Sequence, residues 1–165
     1  MARATTLKNL RDRMEQVHEA VALDVKQLVT DIVSGVAGEL ARNTPVDTAL
    51  ARSNWITSIG SPHNGILFPY KPYPSRYTRG PRGGRRAGGS FRERINTNSV
   101  IEQARVAMIK RRDDAPVYIT NNVDYIGFLN DGKSEQSPAG FIQRAVTVGS
   151  TNAIRKFRFR NLRAL

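Results

Sequence analysis

Val117-Tyr118-Ile119-Thr120-Asn121-Asn122-Val123-Asp124-Tyr125, followed closely by Leu129-Asn130-Asp131-Gly132-Lys133-Ser134-Glu135-Gln136-Ser137-Pro138-Ala139-Gly140-Phe141, is the stretch that decides the fold. Val117 to Thr120 are β-formers that alternate between two faces, which predicts a strand over 116–122. Asn121-Asn122 is a pair suited to turn geometry. Tyr125, Ile126, Phe128 and Leu129 then put an apolar patch on one short helix, closed by Gly132. Ser137 reads as an N-cap with Pro138 at the first helical position. The helix expected from about Ala139 buries Phe141, Ile142, Ala145 and Val146.

Upstream, Leu7, Leu10, Met14, Val17, Val21, Val25, Leu28, Ile32, Val36 and Leu40 step by three or four, predicting one amphipathic helix over 5–42. At 1.5 Å per residue it would run over ~50 Å. Gly35 and Gly38 are expected to weaken its last turns. So long a stripe exceeds what one 165-residue domain needs. A subunit contact along it and a fold over its own sheet are both open. Pro45 ends the helix. Residues 50–59 read as a strand with Trp55, Thr57 and Ile59 on one face. Residues 98–111 read as a helix with Val100, Ile101, Ala104 and Met108 inward.

Between these elements, Pro62, Pro69, Pro72, Pro74 and Pro81 exclude a continuous helix or central strand. With Gly80, Gly83, Gly84, Gly88 and Gly89 they mark an extended loop over about 61–95. Phe157 and Phe159 alternate with Arg158 and Arg160, so the basic C-terminal tail, about 153–165, is expected to end extended. The elements sum to one α+β domain over 1–165. Its long N-terminal helix and its C-terminal helix pack on a small, mostly antiparallel sheet, with a long Pro/Gly/Arg-rich loop.

Net charge is +12, and it is concentrated. Residues 1–69 hold seven charges of each sign. Residues 70–95 hold Lys71, Arg76, Arg79, Arg82, Arg85, Arg86, Arg92 and Arg94 against Glu93 alone. Residues 144–165 hold Arg144, Arg155, Lys156, Arg158, Arg160 and Arg163 and no acid. A localised basic surface points to a polyanionic or acidic neighbour. Hydrophobic residues make up 39% of the chain, low for a compact monomer, so neighbours are expected to order part of it. The chain has no cysteine, which excludes disulfides and thiolate metal sites. No apolar run has the length of a membrane span, and Met-Ala-Arg-Ala-Thr-Thr lacks the apolar core of a secretory signal.

Catalysis, metal binding and cofactors are not expected. His18 and His63 are isolated and read as surface residues. Asp113-Asp114 reads as a turn. Asp124, Asp131 and Glu135 lack the spacing of a cation-binding loop. Gly83–Gly89, GGRRAGG, lacks the Lys-Ser ending of a phosphate loop. Ser53 and Ser137 have no base that the sequence can place.

Asn121, Asn122, Tyr125, Leu129, Asn130, Gly132, Ser134, Gln136, Pro138, Ala139, Gly140 and Phe141 form the pattern NNxxYxxxLNxGxSxQxPAGF. It resembles the C-terminal signature of the HK97 gp10-like tail-completion and neck proteins of tailed bacteriophages. Thr44, Pro45, Val46, Asp47, Thr48, Leu50, Arg52, Ser53 and Trp55 are similar to that family's TPVDTGxLRxSW block, with Ala49 at its glycine. Asp124 is a second departure. The two blocks cover about a third of the chain.

The resemblance implies a structural virion protein, assembled in the host cytoplasm. It would form a homo-oligomeric ring of six or twelve copies in the phage neck, between head connector and tail. Its partners would be the neighbouring connector, adaptor and tail proteins. For the loop, whose Tyr70, Tyr73, Tyr77 and Phe91 interleave with the arginines, three readings stay open. One is an arm docking on an acidic protein groove. Another is a channel lining that faces duplex DNA. The last is a solvated charged loop. The alternative function is that of a small basic nucleic-acid-binding accessory protein. It is disfavoured because the charge sits on a loop and a tail and not on a rigid helix.

Overall fold

The computed structural model describes residues 2–45, 50–67, 97–112 and 115–164, with side chains from Leu7 onward. Helix α1 spans Ala2–Asn43. A single helical turn, α2, follows at Leu50–Ser53, then strand β1 at Ile56–Ile59. Helix α3 covers Thr97–Ile109 and strand β2 Val117–Thr120. Short helix α4 is Ile126–Asn130 and α5 is Phe141–Lys156. A 3-10 turn at Leu162–Ala164 ends the described chain. Strands β1 and β2 pair antiparallel, with Ile56 opposite Thr120 and Ile59 opposite Val117. The class is α+β, with the two terminal helices and the small sheet in the expected places.

The core lies where the second half of α1 meets α3 and α5. Val33, Val36, Ala37, Leu40 and Ala41 of α1 pack with Val100, Ala104 and Met108 of α3, with Phe141 and Ala145 of α5, and with Trp55. Val117 and Ile119 of the sheet and Ile126 and Leu129 of α4 close it from the side. The spacing of four between Phe141, Ala145 and Gly149 gives α5 one narrow buried face.

That face ends in a glycine for a physical reason. A Cβ on Gly149 would lie 2.6 Å from Val36 Cα and N, and one on Gly35 would lie 2.9 Å from the Gly149 carbonyl oxygen. The backbones of α1 and α5 therefore touch. Gly35 was expected to weaken α1; instead it belongs to the closest helix contact in the described fold. Gly38 gives similar room to Ile101, whose Cδ1 would be 3.0 Å from an added Cβ.

Several expectations need correction. Residues 50–59 are not one strand: Leu50–Ser53 is helical and only Ile56–Ile59 extends. The turn buries Ala51, and the Ser53 hydroxyl donates to the Leu50 carbonyl at 2.9 Å. Ser137 and Pro138 do not start α5. The helix begins at Phe141 behind Gly140, which is left-handed at φ 73°. The start is displaced because Asn130 captures it: its carbonyl accepts the Gly140 N–H at 2.7 Å, and its Oδ1 accepts the Ile142 N–H at 3.0 Å. Ser137 instead bridges to Ser134, and its hydroxyl is buried without a partner. Val146 is exposed, because Gly149 and not Val146 continues the buried face. Tyr125 and Phe128 are exposed as well; α4 turns only Ile126 and Leu129 inward, and Lys133 Nζ sits 5.0 Å from the Phe128 ring centroid. Ile101 is half-buried. Gly132 does close α4, at φ 78°.

Candidate functional site

The two motif blocks, some seventy residues apart, meet in space. Trp55 Nε1 donates to Thr44 Oγ1 at 2.7 Å, and that hydroxyl donates to the Leu40 carbonyl at 2.6 Å. The relay ties β1 to the last turn of α1 beside Pro45. Arg52 Nη2 reaches the Thr44 carbonyl at 3.4 Å, and burial pushes this guanidinium below its usual value. From the other block, Asn121 Nδ2 donates to the Ala51 carbonyl at 2.7 Å, and its Oδ1 accepts the Val123 N–H. Asn122 Nδ2 donates to the carbonyls of His63 and Gly65. The asparagines thus do more than form a turn: each spends its amide on a distant carbonyl. His63, expected at the surface, is half-buried here.

Together these residues build the base from which the long loop departs. Asn54 completes it. The side chain is fully buried; Nδ2 donates to the Leu50 and Leu67 carbonyls, and Oδ1 accepts the Leu67 N–H at 2.7 Å. An asparagine that both gives to and takes from one residue substitutes for a strand partner, so it fixes the chain at Leu67. The loop residues Tyr70, Lys71, Tyr73, Arg76, Tyr77, Arg79, Arg82, Arg85, Arg86, Arg92 and Arg94 lie outside the described residues, as do Asp47, Thr48, Asp113 and Asp114.

The basic tail is described, and it is tied down. α5 ends at Lys156 and the chain turns extended at Phe157, φ −61° and ψ 137°. Phe157 and Phe159 stack edge to face with centroids 5.0 Å apart. The strap then crosses α1 at Asp24. The Asp24 carboxylate, 2% exposed, accepts the backbone N–H groups of Arg160 at 3.2 Å, Asn161 at 3.1 Å and Leu162 at 3.1 Å, and the Asn161 amide at 2.9 Å. Burial by itself pushes this carboxyl up. The four N–H donors outweigh it and hold the group below the usual carboxylate value. Arg155, Lys156, Arg158, Arg160 and Arg163 all remain exposed along the strap. Arg158 also donates to the carbonyls of Arg155 and Phe157, covering the end of α5.

Sequence reasoning missed Asp24, Asn54 and Gly149. Asp24 left a trace: it occupies a position one step of three after Val21 on the apolar stripe, where a carboxylate needs donors.

Beyond Asp24 the first half of α1 leaves the domain. Leu7 is 68%, Leu10 56% and Met14 64% exposed, and Val17 is exposed too. An Arg11–Glu15 ion pair, 3.1 Å, lies on the flank of this stripe. On another side, an open cleft separates β1 from α3. Thr57, Ile59, Val106 and Ala107 line it, with Glu102, Lys110 and Arg112 at its rim. Val106 is 52% exposed, and Ile109 beside it 77%. Among the described residues no three His, Asp or Glu side chains group as a metal site, and no helix is long and apolar enough to cross a membrane. Comparison with known proteins finds no family model, no curated protein and no solved structure that matches this chain.

Proposed function

We propose that this chain is a structural virion protein that forms a ring in a bacteriophage neck, joining the head connector to the tail. One observation carries the assembly reading: the bare stripe Leu7, Leu10, Met14 and Val17 on a helical arm that packs on nothing in the described chain. Contiguous exposed apolar surface of this kind marks an interaction site. The resemblance of the two motif blocks supplies the neck. The spatial meeting of those blocks at the loop base supports it, because shared residues then have a shared structural task. Closed rings repeat one heterologous contact by rotation, which needs two different faces on each copy. The bare arm and the open cleft are two such faces.

The loop and the latched strap supply the basic surface for the adjoining connector and tail proteins, or for duplex DNA in the channel. Native mass spectrometry of the protein, alone and with a head connector, tests this reading. Six or twelve copies are expected; a monomer in both preparations would sink it. The nucleic-acid accessory reading draws on the exposed cations of the strap. It gains if the monomer binds duplex DNA with a steep salt dependence, near −0.9 per neutralised phosphate.

A further inference from the structure

We infer that the bare arm of α1 from one copy lies in the cleft between β1 and α3 of the next, parallel to α3. This deepens the ring reading and rests on it: it names which two faces make the contact. The choice of a second copy as occupant comes from charge and length. On the arm, Arg11 and Glu19 carry opposite charges eight residues apart. On the cleft rim, Glu102 and Lys110 carry opposite charges eight residues apart, in the reverse order. Eight residues of helix span about 12 Å. Laid parallel, Arg11 therefore faces Glu102 while Glu19 faces Lys110. An antiparallel arm would set like charges against each other at both ends.

The same register places apolar groups together. With Arg11 opposite Glu102, Met14 and Glu15 fall beside Val106. Val106 and Ala107 belong to the exposed side of α3, while Val100, Ala104 and Met108 already serve the core. The cleft is open on the side away from that core, between Ile59 and Val106, so a helix can enter without disturbing it. The arm, in turn, needs no rearrangement to be given up. Its residues Leu7 to Glu19 are exposed, and burial on α1 begins only at Ala20. Pairing the arm with an identical arm is disfavoured by charge. Arg11, Arg13 and His18 border the stripe on both sides, at the positions that face each other in a parallel pair.

The chain has no cysteine, so two introduced thiols report the contact alone. Met14→Cys and Val106→Cys are both at exposed positions. Mild oxidation of the chain carrying both should give a ladder that climbs past the dimer to the full ring. Mixing the two single variants should give dimers. A disulfide requires Cα atoms within about 7 Å, so the bond is a stringent test. Met14→Cys alone forming dimers would mean that arm meets arm, which overturns the inference. Absence of any bond in a preparation that native mass spectrometry shows to be oligomeric overturns it too, and leaves the ring reading standing. A preparation that stays monomeric overturns both.

Charge reversal gives a second readout. Lys110→Glu should raise the concentration needed for assembly by about fivefold, the upper range for one exposed ion pair. Glu19→Lys added to it should restore assembly. No rescue would refute the register.

Discussion

Replacing Gly149 by alanine sets two physical effects against each other, and the structure says which wins. Read from sequence alone, Gly149→Ala inside α5 should stabilise the helix by about 1 kcal/mol. In the fold, the new Cβ would stand 2.6 Å from both Val36 Cα and N and 2.8 Å from the Gly35 carbonyl carbon. Carbon atoms rest at about 3.5–4.0 Å. All three obstacles are backbone, so no rotamer change relieves them, and α1 and α5 must separate by roughly 1 Å to restore contact distance. Separation also loosens Val33, Ala37 and Ala145 in the same interface. Overpacking a tight core costs about 1–3 kcal/mol. With no compliant neighbour the upper end applies, and less the helix gain the net loss is about 2 kcal/mol. In urea, with a slope near 2 kcal/mol/M, the midpoint should fall by about 1 M. Gly127→Ala is the control. It sits in α4 with nothing within 4 Å of an added Cβ, so the same change should be neutral or stabilising. A Gly149→Ala midpoint equal to or above that of the parent would refute the close-contact reasoning.

Trp55→Ala and Phe141→Ala should each cost about 3–5 kcal/mol in denaturation, since both rings are buried in the core; a loss under about 1 kcal/mol would remove that residue from the core. Ser137→Ala should be neutral or mildly stabilising, because its buried hydroxyl has no partner, whereas a true N-cap would lose about 1 kcal/mol by the same measurement. Asp24→Asn should free the strap, seen as faster hydrogen exchange at Arg160, Asn161 and Leu162, with the rest of α5 unchanged. Because the folded Asp24 carboxyl is held below its usual value, its contribution is present above about pH 4 and is lost as pH falls through the lowered pKa. Protection of the same three amides should therefore disappear on acidification while that of α3 persists; protection unchanged in acid would show that the charge on Asp24 is irrelevant to the strap.

The helices were legible because their periodicity is strong. α1 and α3 fall within a few residues of the expected ranges. Boundaries set by remote partners were not legible. Ser137-Pro138 has the local chemistry of a helix start, yet Asn130 takes the N–H groups of Gly140 and Ile142 and moves the start to Phe141. Leu50 to Ile59 carries β-formers, but Asn121 and Asn54 hold its first residues in a helical turn. The same limit applied to the site. Motif residues Trp55, Asn121 and Asn122 could be picked out, but only the fold shows that they converge on the base of one loop. Gly149 read as a weak helix position because the residue that needs its missing side chain, Val36, lies over a hundred places away in sequence.

That separation has a consequence for how the chain comes into being on the ribosome. The buried half of α1 is synthesised early, but α5, its main partner, follows about a hundred residues later. At about 5–20 residues per second, Val33, Val36 and Leu40 wait roughly 5–20 s for Phe141 and Ala145 to emerge. The strap that closes on Asp24 comes later still. Throughout that interval the nascent helix offers one unbroken apolar stripe, the interior half as bare as the arm, to chaperones and proteases. Stalled nascent chains ending before Phe141 should be cleaved readily within residues 20–43, and those ending past the strap should resist. Equal resistance at both lengths would mean that α1 finds shelter without α5.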